Sequence, residues 1–139
     1  MQPGFSIFVL LAFVAVNLAA CNSGAAQAAS VEFRRSGGIV GLDDRLTIDD
    51  KGHAKLTRRA GNSEFDLTQD DLTRLRAALR DASFGSIPEN SRKPYLVPDE
   101  ISYVIVYQGH TVKTSDTAIP EKLQSVIQVL DGILDTKNK

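Results

Sequence analysis

The sequence predicts an α+β domain: a mainly antiparallel sheet of about four or five strands, with two helices packed on one face in the order β-β-β-α-β-β-α. Two observations carry this. Apolar residues alternate with polar ones in short runs joined by turn residues, the signature of hairpins. Two longer stretches, after Thr68 and after Pro120, instead repeat apolar residues at three- and four-residue intervals.

The first strand is Val31–Ser36, where Val31, Phe33 and Arg35 share one side and Glu32, Arg34 and Ser36 the other. After a glycine-rich run, Leu42, Leu46 and Ile48 continue the two-residue period. Asp49-Asp50-Lys51-Gly52 then turns the chain into a partner strand over 53–59. Arg58-Arg59-Ala60-Gly61-Asn62 reads as a basic loop of solvated charge. Thr68 is a helix cap with Asp71 in the capping-box position, and Leu67 and Leu72 form a hydrophobic staple. Leu72, Leu75, Leu79 and Ala82 lie along one face, and Gly85 is expected to stop the helix. Residues 85–99 contain Pro88, Pro94 and Pro98 and must be loop. Tyr95-Leu96-Val97 within it either caps the core or is offered to a partner, and the first is favoured. Residues 101–108 read as the centre of the sheet, apolar on both faces, and 110–115 as an edge strand. Pro120 and Glu121 open the last helix, whose apolar face is Leu123, Val126, Ile127, Leu130 and Ile133 or Leu134. Lys137 and Lys139 suit its C-terminal end.

The amino-terminal stretch reads as an address. Residues 5–20 are apolar but shorter than the ~20 residues that span a bilayer. They end in Leu18-Ala19-Ala20-Cys21, which resembles a bacterial lipoprotein cleavage box, although residues 1–4 lack the usual positive charge. On this reading residues 1–20 are a signal peptide and Cys21 carries the lipid. An ordinary secretory signal cut after Ala26-Gln27-Ala28 is the alternative. Either implies an exported protein, and the first an anchor to the cell membrane or outer membrane. Cys21 is the single cysteine, so no internal disulfide and no thiol catalysis is expected. Residues 22–30 are small and polar, a flexible tether. What remains, 31–139, is one domain of about 105–110 residues.

Sixteen basic and seventeen acidic residues give a net charge of −1, which argues against nucleic-acid binding. His53 and His110 lack metal-ligand spacing, and the pairs Asp43-Asp44 and Asp49-Asp50 lack that of a calcium loop. No nucleophile and base can be paired, so neither enzyme activity nor a cofactor or metal is expected.

One run stands out: Arg35-Ser36-Gly37-Gly38-Ile39-Val40-Gly41. Its glycines permit tight turns, while Ile39 and Val40 favour extended backbone. It matches no phosphate-binding glycine pattern, and a strand follows where such a loop would open a helix. The expected form is a glycine-hinged loop holding two apolar side chains out from a strand end. The run resembles the R-S-G-G-x-x-G signature of emfourin-type proteins, small inhibitors of thermolysin-like zinc metallopeptidases. The order of elements over about residues 31–135 is similar too. The resemblance implies an inhibitor of such peptidases; the lipid anchor read from Cys21 departs from the soluble form expected of that family, and the exposed apolar loop suggests that the cleft is what it blocks. Its candidates are Arg35, Ser36, Gly37, Gly38, Ile39, Val40 and Gly41, with Asp43 or Asp44 toward the zinc or nearby basic groups. The alternative is a cell-envelope lipoprotein that binds another protein, through the proline loop 85–99 or by strand addition at 110–115.

Overall fold

The computed structural model describes residues 31–137. The signal peptide, Cys21, the tether and Lys139 lie outside the described residues. The described chain forms one antiparallel sheet of six strands: β1 (Val31–Gly37), β2 (Leu42–Ile48), β3 (His53–Arg58), β4 (Gly61–Asp66), β5 (Ile101–Tyr107) and β6 (His110–Ser115). Their order across the sheet is β4-β3-β2-β1-β5-β6, with every neighbour antiparallel. Helices α1 (Gln69–Asp81) and α2 (Glu121–Thr136) supply the second layer.

The alternation sets the two faces. Phe33, Leu46 and Leu56 stand on one rung of β1, β2 and β3, with Ile105 beside Phe33 on β5. All four are at most 2% exposed and join Leu75, Leu79, Leu123, Val126 and Leu130 in a single core. A buried Leu or Phe contributes roughly 1.5–3 kcal/mol, so this one-sided rung does much to fix the register. The opposite face carries Glu32, Arg34, Asp43, Arg45, Lys55 and Glu64, and neither helix packs over it among the described residues.

Sequence reasoning gave three strands before the first helix, and the structure has four. The basic loop is only the turn at Arg59-Ala60, after which Gly61–Asp66 pairs with β3 along its whole length. Only Phe65 in β4 is apolar, so its ladder of backbone hydrogen bonds, not burial, forms the strand.

Two further expectations change. Strand β5 is fifth of six rather than central, and Val104 and Val106 on its open face are only half-buried. Strand β6 is at the margin of the sheet, as the sequence reads it, but is covered at one residue. Ser91 N–H donates to the Lys113 carbonyl and Lys113 N–H to that of Glu89, so Glu89–Ser91 runs parallel along it. That segment occupies the outward backbone groups of Lys113, which strand addition along β6 would need, while β4 is the other margin among the described residues.

Both helices start as the sequence indicates. Thr68 Oγ1 accepts from the Asp71 N–H at 3.1 Å and donates to the Asp71 carboxylate. Pro120 occupies the N-cap of α2, where its missing N–H leaves nothing unpaired. The end of α1 differs, because Ser83, not Gly85, takes the left-handed conformation (φ 48°) and leads into a short 3-10 turn at Phe84–Ser86.

Candidate functional site

The candidate residues gather at one end of the sheet. The β1–β2 turn, the β3–β4 turn, the approach to β5 and the exit from β6 all lie there, as antiparallel neighbours require. Residues 38–41 form a four-residue turn closed by the Gly41 N–H donating to the Gly38 carbonyl at 3.0 Å. Gly37, Gly38 and Gly41 all have positive φ (98°, 70° and 63°), which side chains resist. The turn is fixed to the approach to β5. Gly38 N–H donates to the Glu100 carbonyl at 3.2 Å, and a Cβ on Gly37 would sit 2.5 Å from that oxygen. Ile39 and Val40 at its tip are 87% and 78% exposed. The arrangement matches the expected glycine-hinged loop presenting two apolar side chains.

Arg35 and Asp44 belong to a different layer. They face each other across β1 and β2 on the helix side, with Arg35 Nε 2.7 Å from Asp44 Oδ2. Arg35 also reaches Asp131 at 3.0 Å and Asp135 at 3.5 Å on α2, while Arg58 approaches Asp44 at 3.3 Å and donates to the Leu134 carbonyl at 2.7 Å. Burial alone would lower the Arg35 pKa, but its hydrogen bond to Asp44 and the charge of Asp131 outweigh that and raise it. Burial pushes the Asp131 carboxyl up, and Asp135 and Asp44 add to this against the pull of Arg35. The two directions agree physically: one guanidinium serves three carboxylates, and they repel each other. The network fastens α2 to the base of the loop. Asp44, only 6% exposed, is therefore corrected from a contact candidate to an internal anchor, and so is Arg35. Asp43 is exposed and pairs with Arg34 at 3.2 Å on the open face. Ser36 stands beside it on that face, opposite Asp43 across the ladder.

The structure adds residues that sequence reasoning placed elsewhere. Tyr95 and Leu96 do not cap the core; they are 62% and 94% exposed. Glu89–Ser91 follows β6 toward Ser115, and Arg92 Nε donates to the Thr114 carbonyl, so residues 93–100 cross to the start of β5 at this same end. The four large, exposed apolar side chains among the described residues thus share one end of the sheet. Proline signalled the loop, but no periodicity within it could say which side chains face water.

His110 Nε2 donates to the Ile87 carbonyl at 2.8 Å, and the ring packs edge-on against Phe84. His53 lies between Asp66 and Glu64 on the open face. The Asp66 hydrogen bond raises its pKa above the ordinary 6.5 against the opposing effect of desolvation, with the charge of Asp66 and then Glu64 adding to the rise. Among the described residues no three His, Cys, Asp or Glu side chains are grouped to hold a metal, and no helix is long and apolar enough to cross a membrane.

These features define the site: an exposed apolar tip at one end of the sheet, on a turn hydrogen-bonded to the approach to β5. Scanning family models finds none that matches the chain, and a search of curated proteins finds no match either.

Proposed function

We propose that this protein is an inhibitor of thermolysin-like zinc metallopeptidases that enters the active-site cleft with Ile39 and Val40, and that its lipidated Cys21 holds it at the cell envelope. The observation that carries the reading is the exposure of those two side chains on a turn pinned by the Gly38–Glu100 hydrogen bond. A preformed turn loses little conformational freedom on docking, so more of its contact energy appears as affinity. The R-S-G-G-x-x-G resemblance supplies the target class, whose members favour bulky apolar side chains after the scissile bond. Arg35 contributes indirectly by fixing the strand that carries the turn.

The test is inhibition of purified thermolysin-like peptidases by the protein, with a serine peptidase as control. Dose-dependent loss of metallopeptidase activity alone is expected, not reversed by added zinc. The double variant Ile39→Asp with Val40→Asp should lose at least about a hundredfold in potency, as removal of two anchor side chains does, while keeping the native circular dichroism spectrum. Full potency in that variant would remove the turn from the interface.

A second reading is favoured by Tyr95 and Leu96. They lie outside the glycine motif yet on the same end of the sheet, which suits a cell-envelope lipoprotein that binds a different, non-peptidase protein. Absence of inhibition at micromolar protein makes this reading the leading one.

A further inference from the structure

The open face of the sheet gathers several arginines at one place. Arg34 and Arg45 are directly opposed across the β1–β2 ladder. Like charges in that relation destabilise a sheet. Each leans on a carboxylate, Arg34 on Asp43 at 3.2 Å and Arg45 on Glu32 at 2.7 Å. A third guanidinium arrives from the β3–β4 turn. Arg59 is exposed and has no carboxylate within ion-pair distance among the described residues. Its Nη1 lies 3.3 Å from the position a Cβ on Gly41 would take, a close approach that a side chain there would crowd. Between these groups is an open cleft of about 270 Å³, lined by Arg34, Asp43, Arg45, Thr57, Arg58 and Arg59.

We propose that this cleft is an oxyanion-binding site, in which Arg34, Arg45 and Arg59 hold a carboxylate or phosphate group with the Thr57 hydroxyl as a further donor. Guanidinium forks match the planar carboxylate and the faces of a phosphate, and charge-assisted hydrogen bonds are about twice as strong as neutral ones. A bound anion would add to the offset that Asp43 and Glu32 already give the opposed pair, with three guanidinium groups in the lining against the one carboxylate of Asp43. Arg58 contributes lining but is committed to Asp44 and Leu134 on the other face. The surrounding surface alternates in sign through Lys55–Glu64 and His53–Asp66. The positive field is therefore confined to one cleft, suited to a single anionic group and not to a polyanion track. Nothing in this inference depends on peptidase inhibition.

The experiment uses the full-length, ¹⁵N-labelled chain in mild detergent, titrated with sodium phosphate or with citrate against sodium chloride at matched ionic strength. Saturable shifts of the Arg34, Arg45 and Arg59 side-chain Nε–H signals are expected, with a rise in melting temperature. Arg59→Ala and Arg45→Thr should each weaken binding about tenfold, the loss of one charged hydrogen-bonding partner, with circular dichroism verifying the fold. Saturation by citrate alone identifies the ligand group as carboxylate, and by phosphate alone as phosphoryl. Shifts no larger than those in chloride, or both variants binding as tightly as the unaltered chain, would overturn the proposal.

Discussion

Arg35 is the residue at which motif and structure diverge most. It heads the glycine signature, yet it points away from the loop's exposed side and ties Asp44 to Asp131. Removing one partner of a buried ion pair strands the others. Arg35→Ala is accordingly expected to cost about 3 kcal/mol in a urea unfolding experiment. Gly37 makes the complementary demand on the backbone. With φ at 98° and the Glu100 oxygen 2.5 Å from any Cβ, Gly37→Ala should destabilise the fold by about 2–3 kcal/mol. On the proposed function, inhibition would then fall through distortion of the turn. His53 titrates instead of packing. Because its folded pKa is raised, the stability it contributes is full below pH 6.5 and is lost as pH rises through the higher folded value. His53→Gln should flatten that segment of a melting-temperature profile measured from pH 5.5 to 8. An unchanged slope would mean another group titrates there.

Among the elements, legibility followed burial. The strands and helices that feed the core were visible because their apolar spacing is a direct consequence of which side is buried: Val31 and Phe33 in β1, Leu123 to Leu134 in α2. Strand β4 was not visible, because Gly-Asn-Ser-Glu-Phe-Asp buries almost nothing and is held by backbone hydrogen bonds that any sequence can make. The same reason hid the segment that covers β6, where Glu89 and Ser91 act through main-chain atoms. The glycine turn was legible from its composition. The arginine cleft was not, since its side chains come from three separate segments and meet only through register. Counting outward from a turn centred between Ile39 and Val40 does pair Arg34 with Arg45, and that was the available signal. At this scale Thr68 gives a clean test. Thr68→Ala removes the cap of α1 and should cost about 1 kcal/mol in thermal or urea unfolding.

For the molecule as a whole, the sheet divides the labour. Among the described residues one face is spent on the helices, the other carries charged side chains, and one end bears the exposed apolar side chains. Substitutions at the tip should therefore change binding without changing stability. Those at Arg35 or Gly37 change both, and measuring the two quantities on each variant separates the roles.

The position of β1 has a mechanical consequence. The chain enters the domain at Val31, the first residue of a strand flanked on both sides, by β2 and by β5. A pull through the preceding residues is directed along that strand. It must then shear two ladders of hydrogen bonds together, whereas a strand at the margin of the sheet would peel from one neighbour bond by bond. Resistance to such force is set by the unfolding rate and not by equilibrium stability. Stretched from its amino-terminal side, this domain should yield late and all at once.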